Sequence, residues 1–316
     1  MPSLPLLFPG QAAQAVGMAA DLAARGGPGA AFLAEVDSVL GCDLTRLMWE
    51  GPLEALTETR NAQPAIFAHS VAVLLELRAL GVEPSMVAGH SLGEYAAAVA
   101  AGALDAADGL RLVRRRGELM FAAGRERPGT MAAVLGLDAA RVAEVCAEVA
   151  RSAGVVVVAN HNAVDQTVIS GEIAAVEAAG PALKAAGAKR VVPLPVSGAF
   201  HSPLLREAGE RFAGELARVS FAEPRVPLYA NVSARPVRDA ATLQRGLAAQ
   251  LTAPVLWHPS VAGMVEAAGG AGAVFLEAGP GQILTNLAKR AHPGARFLTA
   301  GTAAELDKIL DSLAGA

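Results

Sequence analysis

A serine stands between two glycines in the stretch Gly89-His90-Ser91-Leu92-Gly93, which has the spacing G-x-S-x-G. The preceding Met86-Val87-Ala88 is apolar like the end of a buried strand, and residues 94–101 are rich in helix formers. In this context the spacing is typical of a nucleophile elbow, a sharp turn that lifts a serine hydroxyl between a strand and a helix. The stretch predicts a nucleophilic serine; the alternative is a glycine-rich turn that contains a serine by chance.

The two glycines of the turn predict close contacts, because a Cβ at Gly89 or Gly93 would collide with neighbours where strand and helix converge. The amide of Leu92 opens the helix beside the Ser91 hydroxyl. An oxyanion would form there, and the helix dipole adds partial positive charge. We therefore expect Ser91 as nucleophile and the Leu92 amide as half of an oxyanion hole.

A serine nucleophile needs a general base, and His90, His161 and His201 are the histidines predicted to lie in loops. His90 is adjacent to Ser91, but neighbouring side chains diverge around a turn. His201 is the better candidate, because it follows Ser91 in the Ser-then-His order of α/β-hydrolase-like proteins. No acidic residue is an obvious third member of a triad, which leaves a backbone carbonyl as the alternative group to orient the imidazole.

Arg114, Arg115 and Arg116 are consecutive in a helix predicted from Asp105 to about residue 123. Consecutive residues lie about 100° apart around a helix, so the three cannot share one face. A solvated face is the usual interpretation of such a run. An arginine that points inward would instead favour an anionic substrate, because burying a guanidinium without an anionic partner is costly.

The first predicted strand, over residues 1–8, ends in the turn Phe8-Pro9-Gly10-Gln11. Sites in open α/β sheets gather at the carboxyl ends of the strands. Gln11 and Ser91 are therefore expected to be neighbours if their strands are adjacent. The alternative role of Gln11 is a turn-stabilising amide.

The elements that position these residues are predicted to form an α/β protein. Residues 124–194 follow the order β-α-β-β-α-β of a ferredoxin-like domain, with residues 124–129 as the linker into it. The pair Gly180-Pro181 is expected to break its second helix. Residues 1–123 and 195–316 alternate strands and helices, which indicates a parallel sheet interrupted by the small domain. Within the first part we predict a mostly buried helix over residues 61–80, with Pro64 in its first turn.

Composition excludes several classes of function. Of the 316 residues 53% are apolar, but no run of about 18 uncharged apolar residues exists to span a membrane. The net charge of −4 provides no general field for nucleic acid. Cys42 and Cys146 lie far apart, which argues against a disulfide framework or a cysteine metal site and favours a reducing compartment, the cytoplasm.

Several motifs together resemble malonyl-CoA:acyl carrier protein transacylases in order and spacing over essentially the whole chain. These motifs are Phe8-Pro9-Gly10-Gln11, Gly89-His90-Ser91-Leu92-Gly93-Glu94-Tyr95, Arg116-Gly117, Asn160-His161-Asn162 with Val168-Ile169-Ser170-Gly171, Gly198-Ala199-Phe200-His201-Ser202, and Glu277-Ala278-Gly279-Pro280-Gly281.

The resemblance implies an α/β-hydrolase-like large subdomain interrupted by a ferredoxin-like one, with the active site in the cleft between them. It implies roles for individual residues, which follow the family's motifs. These are Ser91 as acyl acceptor, His201 as general base and acid, Gln11 with the Leu92 amide as oxyanion hole, Arg116 as the group that binds the malonyl carboxylate, His90 and Phe200 as further substrate-binding residues, and the main-chain carbonyl of Gln250 as the group that holds the histidine.

The implied reaction is ping-pong transfer of malonyl from malonyl-CoA to the phosphopantetheine thiol of a holo acyl carrier protein, for fatty acid or polyketide synthesis. We expect no metal, no cofactor of the enzyme's own, and a monomer. Phe200 resembles the malonyl-selective form of its loop, in which a bulky ring leaves little space for an α-methyl branch. The chain departs from the family at Ala12-Ala13, where a glycine-serine pair is usual, and the added Cβ at position 12 would tighten the oxyanion turn. A serine hydrolase and a non-enzymatic acyl-CoA-binding module are the alternative functions.

Overall fold

The computed structural model describes residues 3–314, which form an α/β protein with two separate sheets. The strands are β1 (Ser3–Phe8), β2 (Glu83–Gly89), β3 (Gly129–Leu135), β4 (Val156–Ala163), β5 (Gln166–Glu172), β6 (Arg190–Pro193), β7 (Leu228–Tyr229), β8 (Pro236–Val237), β9 (Val274–Glu277) and β10 (Arg296–Thr299). The helices are α1 (Ala20–Arg25), α2 (Pro28–Leu40), α3 (Leu44–Glu50), α4 (Leu53–Thr57), α5 (Thr59–Ala79), α6 (Gly93–Ala100), α7 (Ala106–Glu126), α8 (Ala139–Ala153), α9 (Ile173–Ala185), α10 (Arg206–Leu216), α11 (Ala240–Ala249), α12 (Trp257–Ala267), α13 (Ile283–Ala291) and α14 (Ala303–Ala314).

The larger sheet has six strands in the order β10-β9-β1-β2-β7-β8. All neighbouring strands are parallel except β8, which forms an antiparallel edge against β7. β1 and β2 are central, and their register places Phe8 beside Gly89. The loops that follow these two strands therefore leave the sheet side by side, and they carry Gln11 and Ser91.

The smaller sheet has four antiparallel strands in the order β4-β5-β3-β6, covered by α8 and α9. Its apolar side chains form a core of their own, separate from the core around the large sheet. The predicted break at Gly180-Pro181 is wrong, since α9 continues through Pro181. Ala179 and Leu183, on either side of Pro181, are fully buried in the same core, and this packing holds both halves of the helix in line.

The predicted linker at residues 124–129 is also largely wrong, because α7 continues to Glu126 and β3 begins at Gly129. A Cβ at Gly124 would lie 2.3 Å from the carbonyl oxygen of Ser197. The chain returning from β6 thus passes directly against α7. Glycine is needed at this position for the close approach of the two backbones.

Pro64 lies in the interior of its helix and not in the first turn, because α5 begins at Thr59. Proline has no N–H to donate to the carbonyl oxygen of Arg60, four residues earlier. That oxygen accepts a hydrogen bond of 3.1 Å from Arg114 Nη1 of α7 instead. A contact from a distant helix therefore replaces the hydrogen bond that proline removes.

Within the described part of the chain, no helix combines the length and apolar character needed to cross a bilayer.

Candidate active site

The turn between β2 and α6 holds Ser91 in a left-handed conformation with φ of 51°. A Cβ built on Gly89 would lie 1.9 Å from the carbonyl carbon of Gly93, and one on Gly93 would lie 2.1 Å from the carbonyl oxygen of Phe8. The close contacts predicted for both glycines are confirmed. Leu92 follows at the start of α6, where backbone amides have no acceptor within their own helix.

Ser91 Oγ lies 2.8 Å from His201 Nε2. The other ring nitrogen, Nδ1, lies 2.9 Å from the carbonyl oxygen of Gln250, directly after α11. A carbonyl oxygen only accepts hydrogen bonds, so Nδ1 carries the proton and the Nε2 lone pair faces the serine hydroxyl. The imidazole is oriented by a backbone group, without a carboxylate.

His201 is almost completely buried. Burial, with the positive charge of Arg116 as a further cause, lowers the pKa of His201 to about 3. The imidazole is therefore neutral at physiological pH, the form that can accept a proton from Ser91.

Arg116 is the one member of the arginine run that points inward, with 1% of its surface exposed. Its Nη1 donates to Gln63 Oε1 at 2.8 Å, and its Nη2 donates to Gln250 Oε1 at 2.8 Å and to Ser91 Oγ at 3.1 Å. The Tyr95 ring covers the guanidinium, with its centre 5.7 Å away. This places a permanent positive charge against the nucleophile.

The other two members of the run face outward. Arg114 is paired with Glu118, and Arg115 contacts Glu118 and Glu215. Three consecutive helical residues cannot share one face. In this run, one arginine is therefore buried and the other two lie at the surface.

His90 is held away from the serine–histidine pair. Its Nε2 lies 2.9 Å from Asn162 Oδ1, and its ring meets the Trp257 ring edge-on at 5.5 Å between centres. His161 lies on β4 and not in the predicted loop; its N–H donates to the carbonyl oxygen of Val255. The centre of the His161 ring lies 5.4 Å from that of the His258 ring. These contacts are with residues other than Ser91.

Gln11 donates from Nε2 to Thr59 Oγ1 at 3.1 Å. The next residue, Ala12, has φ of 81°, a region that favours glycine, and its N–H donates to Gln14 Oε1. The departure of this chain from the family pattern therefore falls on a strained backbone position. The strain lies in the backbone of the turn that carries Gln11.

A cavity of about 570 Å³ lies between the two sheets and joins these residues. Side chains of the small sheet, such as Met131 and Val168, form one wall. The sequence-predicted residues that line it are Gln11, His90, Ser91, Leu92, Arg116, Phe200 and His201. Gln250 is fully buried outside the cavity lining, where it contacts Ser91, Arg116 and His201. No group of His, Cys, Asp or Glu side chains in residues 3–314 is arranged to hold a metal ion.

Sequence reasoning assigned no role to three buried polar residues around the site. Gln63 binds Arg116, Asn231 Oδ1 accepts from the Ser91 N–H at 2.7 Å, and Glu94 accepts from Gln250 Nε2. Gln63 stands directly before Pro64, ahead of the mostly apolar part of α5, and Asn231 comes shortly after a strand of the parallel sheet. Both patterns were available in the sequence, but neither specifies which atoms the amide would bind.

The family described as acyl transferase domain matches residues 6–302. The malonyl CoA-acyl carrier protein transacylase of Escherichia coli strain K12 is 44% identical over 291 residues, which are 92% of this chain and 93% of that protein. A crystal structure of an acyl carrier protein S-malonyltransferase from Vibrio cholerae is 40% identical, with a TM-score of 0.91 over 97% of this chain and 99% of that chain. A type II PKS acyl-carrier protein in complex with its malonyl-transacylase includes a chain that is 40% identical, with a TM-score of 0.93 over 98% of this chain and 99% of that chain. The chain belongs to the acyl transferase domain family and, within it, to the malonyl-CoA:acyl carrier protein transacylases, as its sequence motifs predict.

Proposed function

We propose that this protein transfers a malonyl group from malonyl-CoA to the phosphopantetheine thiol of a holo acyl carrier protein, through a malonyl ester on Ser91. The observation that carries the proposal is the 3.1 Å contact between Arg116 Nη2 and Ser91 Oγ. A guanidinium at that distance from the nucleophile favours an acyl group that bears its own carboxylate. The relatives described above are named for the same transfer.

In the first half-reaction, His201 Nε2 takes the proton of the Ser91 hydroxyl as Oγ attacks the thioester carbonyl carbon. The negative charge that develops on the carbonyl oxygen is stabilised by the Leu92 amide and, in our proposal, by Gln11. The carbon–sulfur bond then breaks. His201 returns its proton to the sulfur, and coenzyme A leaves.

In the second half-reaction, the carrier-protein thiol attacks the carbonyl carbon of the malonyl ester. His201 takes the thiol proton, the bond to Ser91 Oγ breaks, and the same proton restores the serine hydroxyl. The His201 imidazole therefore accepts and returns the proton in both half-reactions. The mechanism requires no metal and no cofactor of the enzyme's own.

The malonyl carboxylate is proposed to bind Arg116. Arg116 lines the cavity beside Ser91, so the carboxylate of an acyl group on Ser91 can pair with its guanidinium. Phe200 lines the same cavity, and its ring is proposed to exclude an α-methyl branch. His90, held by Asn162, is proposed to complete the substrate-facing wall.

We also propose a division of the chain into two subdomains. Of the described residues, we propose that 3–123 and 195–314 form an α/β-hydrolase-like subdomain, interrupted by a ferredoxin-like subdomain over residues 124–194. The strand order β4-β5-β3-β6 and the two covering helices support the second assignment. We propose that the protein acts in the cytoplasm as a monomer, in fatty acid or polyketide synthesis.

Intact-mass measurement after mixing with malonyl-CoA alone tests the proposal. We expect one malonyl group on the protein, absent from Ser91→Ala, and its transfer when a holo acyl carrier protein is added. Labelling of Ser91→Ala equal to that of the parent would show that the nucleophile is another residue. Free malonate released as fast as acyl transfer would identify a hydrolase.

A further inference from the structure

A carboxylate that takes no part in the mechanism above lies directly beneath the nucleophile turn. Glu94, in the first turn of α6, has only 1% of its surface exposed. One carboxylate oxygen accepts from the Asn231 N–H at 3.3 Å, and the other accepts from Gln250 Nε2. Glu94 is therefore bonded to two buried residues that both belong to the site.

These two residues hold the backbone of the nucleophile turn. Asn231 Oδ1 accepts from the Ser91 N–H, and Asn231 Nδ2 donates to the carbonyl oxygen of Gly89, each at 2.7 Å. Gln250 Nε2 donates to the Ser91 carbonyl oxygen at 2.9 Å, while the Gln250 carbonyl oxygen binds His201. Glu94 thus determines which way the Gln250 side-chain amide faces, and it holds Asn231 through the backbone N–H.

Glu94 is also the negative partner of Arg116. One amide links them, because Gln250 Oε1 accepts from Arg116 Nη2 and Gln250 Nε2 donates to Glu94. The other titratable groups near this pair are Tyr95 on the same helix and His201. From helix α5, the uncharged amide of Gln63 binds Arg116.

Burial raises the pKa of Glu94 to about 7, although its hydrogen bonds to Gln250 and Asn231 and the charge of Arg116 act in the opposite direction. A second anion placed on Arg116 would weaken the attraction between Arg116 and the ionised Glu94 carboxylate. It would also repel the Glu94 carboxylate directly. Two carboxylates would then share one buried cation.

We propose that Glu94 is a positioning residue that balances the charge of Arg116 in the free enzyme and takes up a proton from solvent when a malonyl carboxylate occupies Arg116. This inference rests on the proposed function, because it requires the carboxylate to bind at Arg116. The chemistry of acylation adds no net proton, since the serine proton leaves on the coenzyme A thiol. Any uptake therefore reports a change on the protein.

The sign of the pH dependence follows from this exchange. Below about pH 7 Glu94 is already protonated, so malonyl binding takes up no proton and is at its tightest. Above that pH the free enzyme must gain a proton to bind, so KM for malonyl-CoA in the loading step rises with pH, by up to about tenfold per pH unit. The rate constant of the chemical step should change less than KM.

The test combines two measurements on the same reaction. Intact mass reports loading of Ser91, and a pH-indicator dye in weakly buffered solution reports protons. For the parent enzyme with malonyl-CoA we expect uptake of roughly half a proton or more per malonyl group at pH 8, and little at pH 6. Full loading at pH 8 without proton uptake would overturn the inference, whereas no loading would overturn the proposed function instead.

Glu94→Gln removes the charge at nearly constant size. It should load with a KM that is flat between pH 6.5 and 8.5, and without proton uptake. Glu118→Gln, which alters a surface carboxylate on the helix of Arg116, should retain the parent's profile. If Glu94→Gln is unfolded, the parent's proton uptake and KM profile still decide the matter. A flat parent profile would contradict the inference.

Discussion

The Ser91 hydroxyl and the His201 imidazole meet at 2.8 Å from two backbone positions that both have positive φ, 51° for Ser91 and 56° for His201. Such conformations cost about 1–3 kcal/mol each for residues other than glycine. The surrounding hydrogen bonds offset this cost, because Asn231 holds the Ser91 backbone and Gln250 holds the His201 ring. The nucleophile and its base are thus held in contact before any substrate binds.

Replacing His201 with alanine should reduce malonyl transfer by about 10²–10⁴-fold, the usual contribution of a positioned acid–base group. Steady-state kinetics with malonyl-CoA and holo acyl carrier protein measure the loss, and circular dichroism checks the fold. His90→Ala is the control and should lose less, because the His90 ring binds Asn162 and not Ser91. Equal losses in both folded variants would contradict the assignment of His201.

Replacing Arg116 with alanine should reduce kcat/KM for malonyl-CoA at least roughly 10–10²-fold, because a charged hydrogen bond to the carboxylate is lost. Slow transfer from acetyl-CoA should be unchanged or improved, since acetyl has no carboxylate. The measurement is the ratio of the two kcat/KM values.

Arg114→Ala and Arg115→Ala are matched controls for this change, since both side chains form surface ion pairs. Neither should alter the ratio. A folded Arg116→Ala that keeps the parent's malonyl-to-acetyl ratio would show that Arg116 does not recognise the substrate.

The activity of the loading step should not fall when the pH is lowered through 6.5. Burial and Arg116 lower the pKa of His201 to about 3, so the free enzyme keeps a neutral base down to about pH 5. The pH profile of kcat/KM for acylation by malonyl-CoA checks this. An acid limb in the parent's profile, with a midpoint near the ordinary histidine pKa, would contradict the lowered pKa of His201.

Ala12→Gly should stabilise the protein by up to about 1 kcal/mol. Ala12 has φ of 81°, and an alanine with left-handed φ costs about 1–2 kcal/mol, part of which glycine offsets by its greater freedom in the unfolded chain. Urea unfolding measures the change. Ala15→Gly, at an exposed position three residues later, is the control and should destabilise slightly; a loss of stability in Ala12→Gly would contradict the argument.

The sequence by itself determined most of the local structure. The sequence predicts strands over residues 190–193 and near residues 296–299, and β6 and β10 have these bounds. Short apolar runs between turn residues depend mainly on neighbouring residues. The β-α-β-β-α-β order of residues 129–193 follows for the same reason. Helices α2, α3 and α4 are not predicted from the sequence, although Gly27-Pro28, Gly41 and Gly51-Pro52 mark their ends.

The sequence motifs also identified residues that line one cavity in the structure, since Ser91, Arg116 and His201 each stand in a distinctive local pattern. What only the tertiary structure decided is how their charges and hydrogen bonds are completed. Gln63, Asn231 and Glu94 come from three separate segments. Likewise, α5 continues through Pro64 because Arg114 from another helix binds the freed carbonyl oxygen. Such contacts join residues far apart in the chain, so neither periodicity nor local composition specifies them.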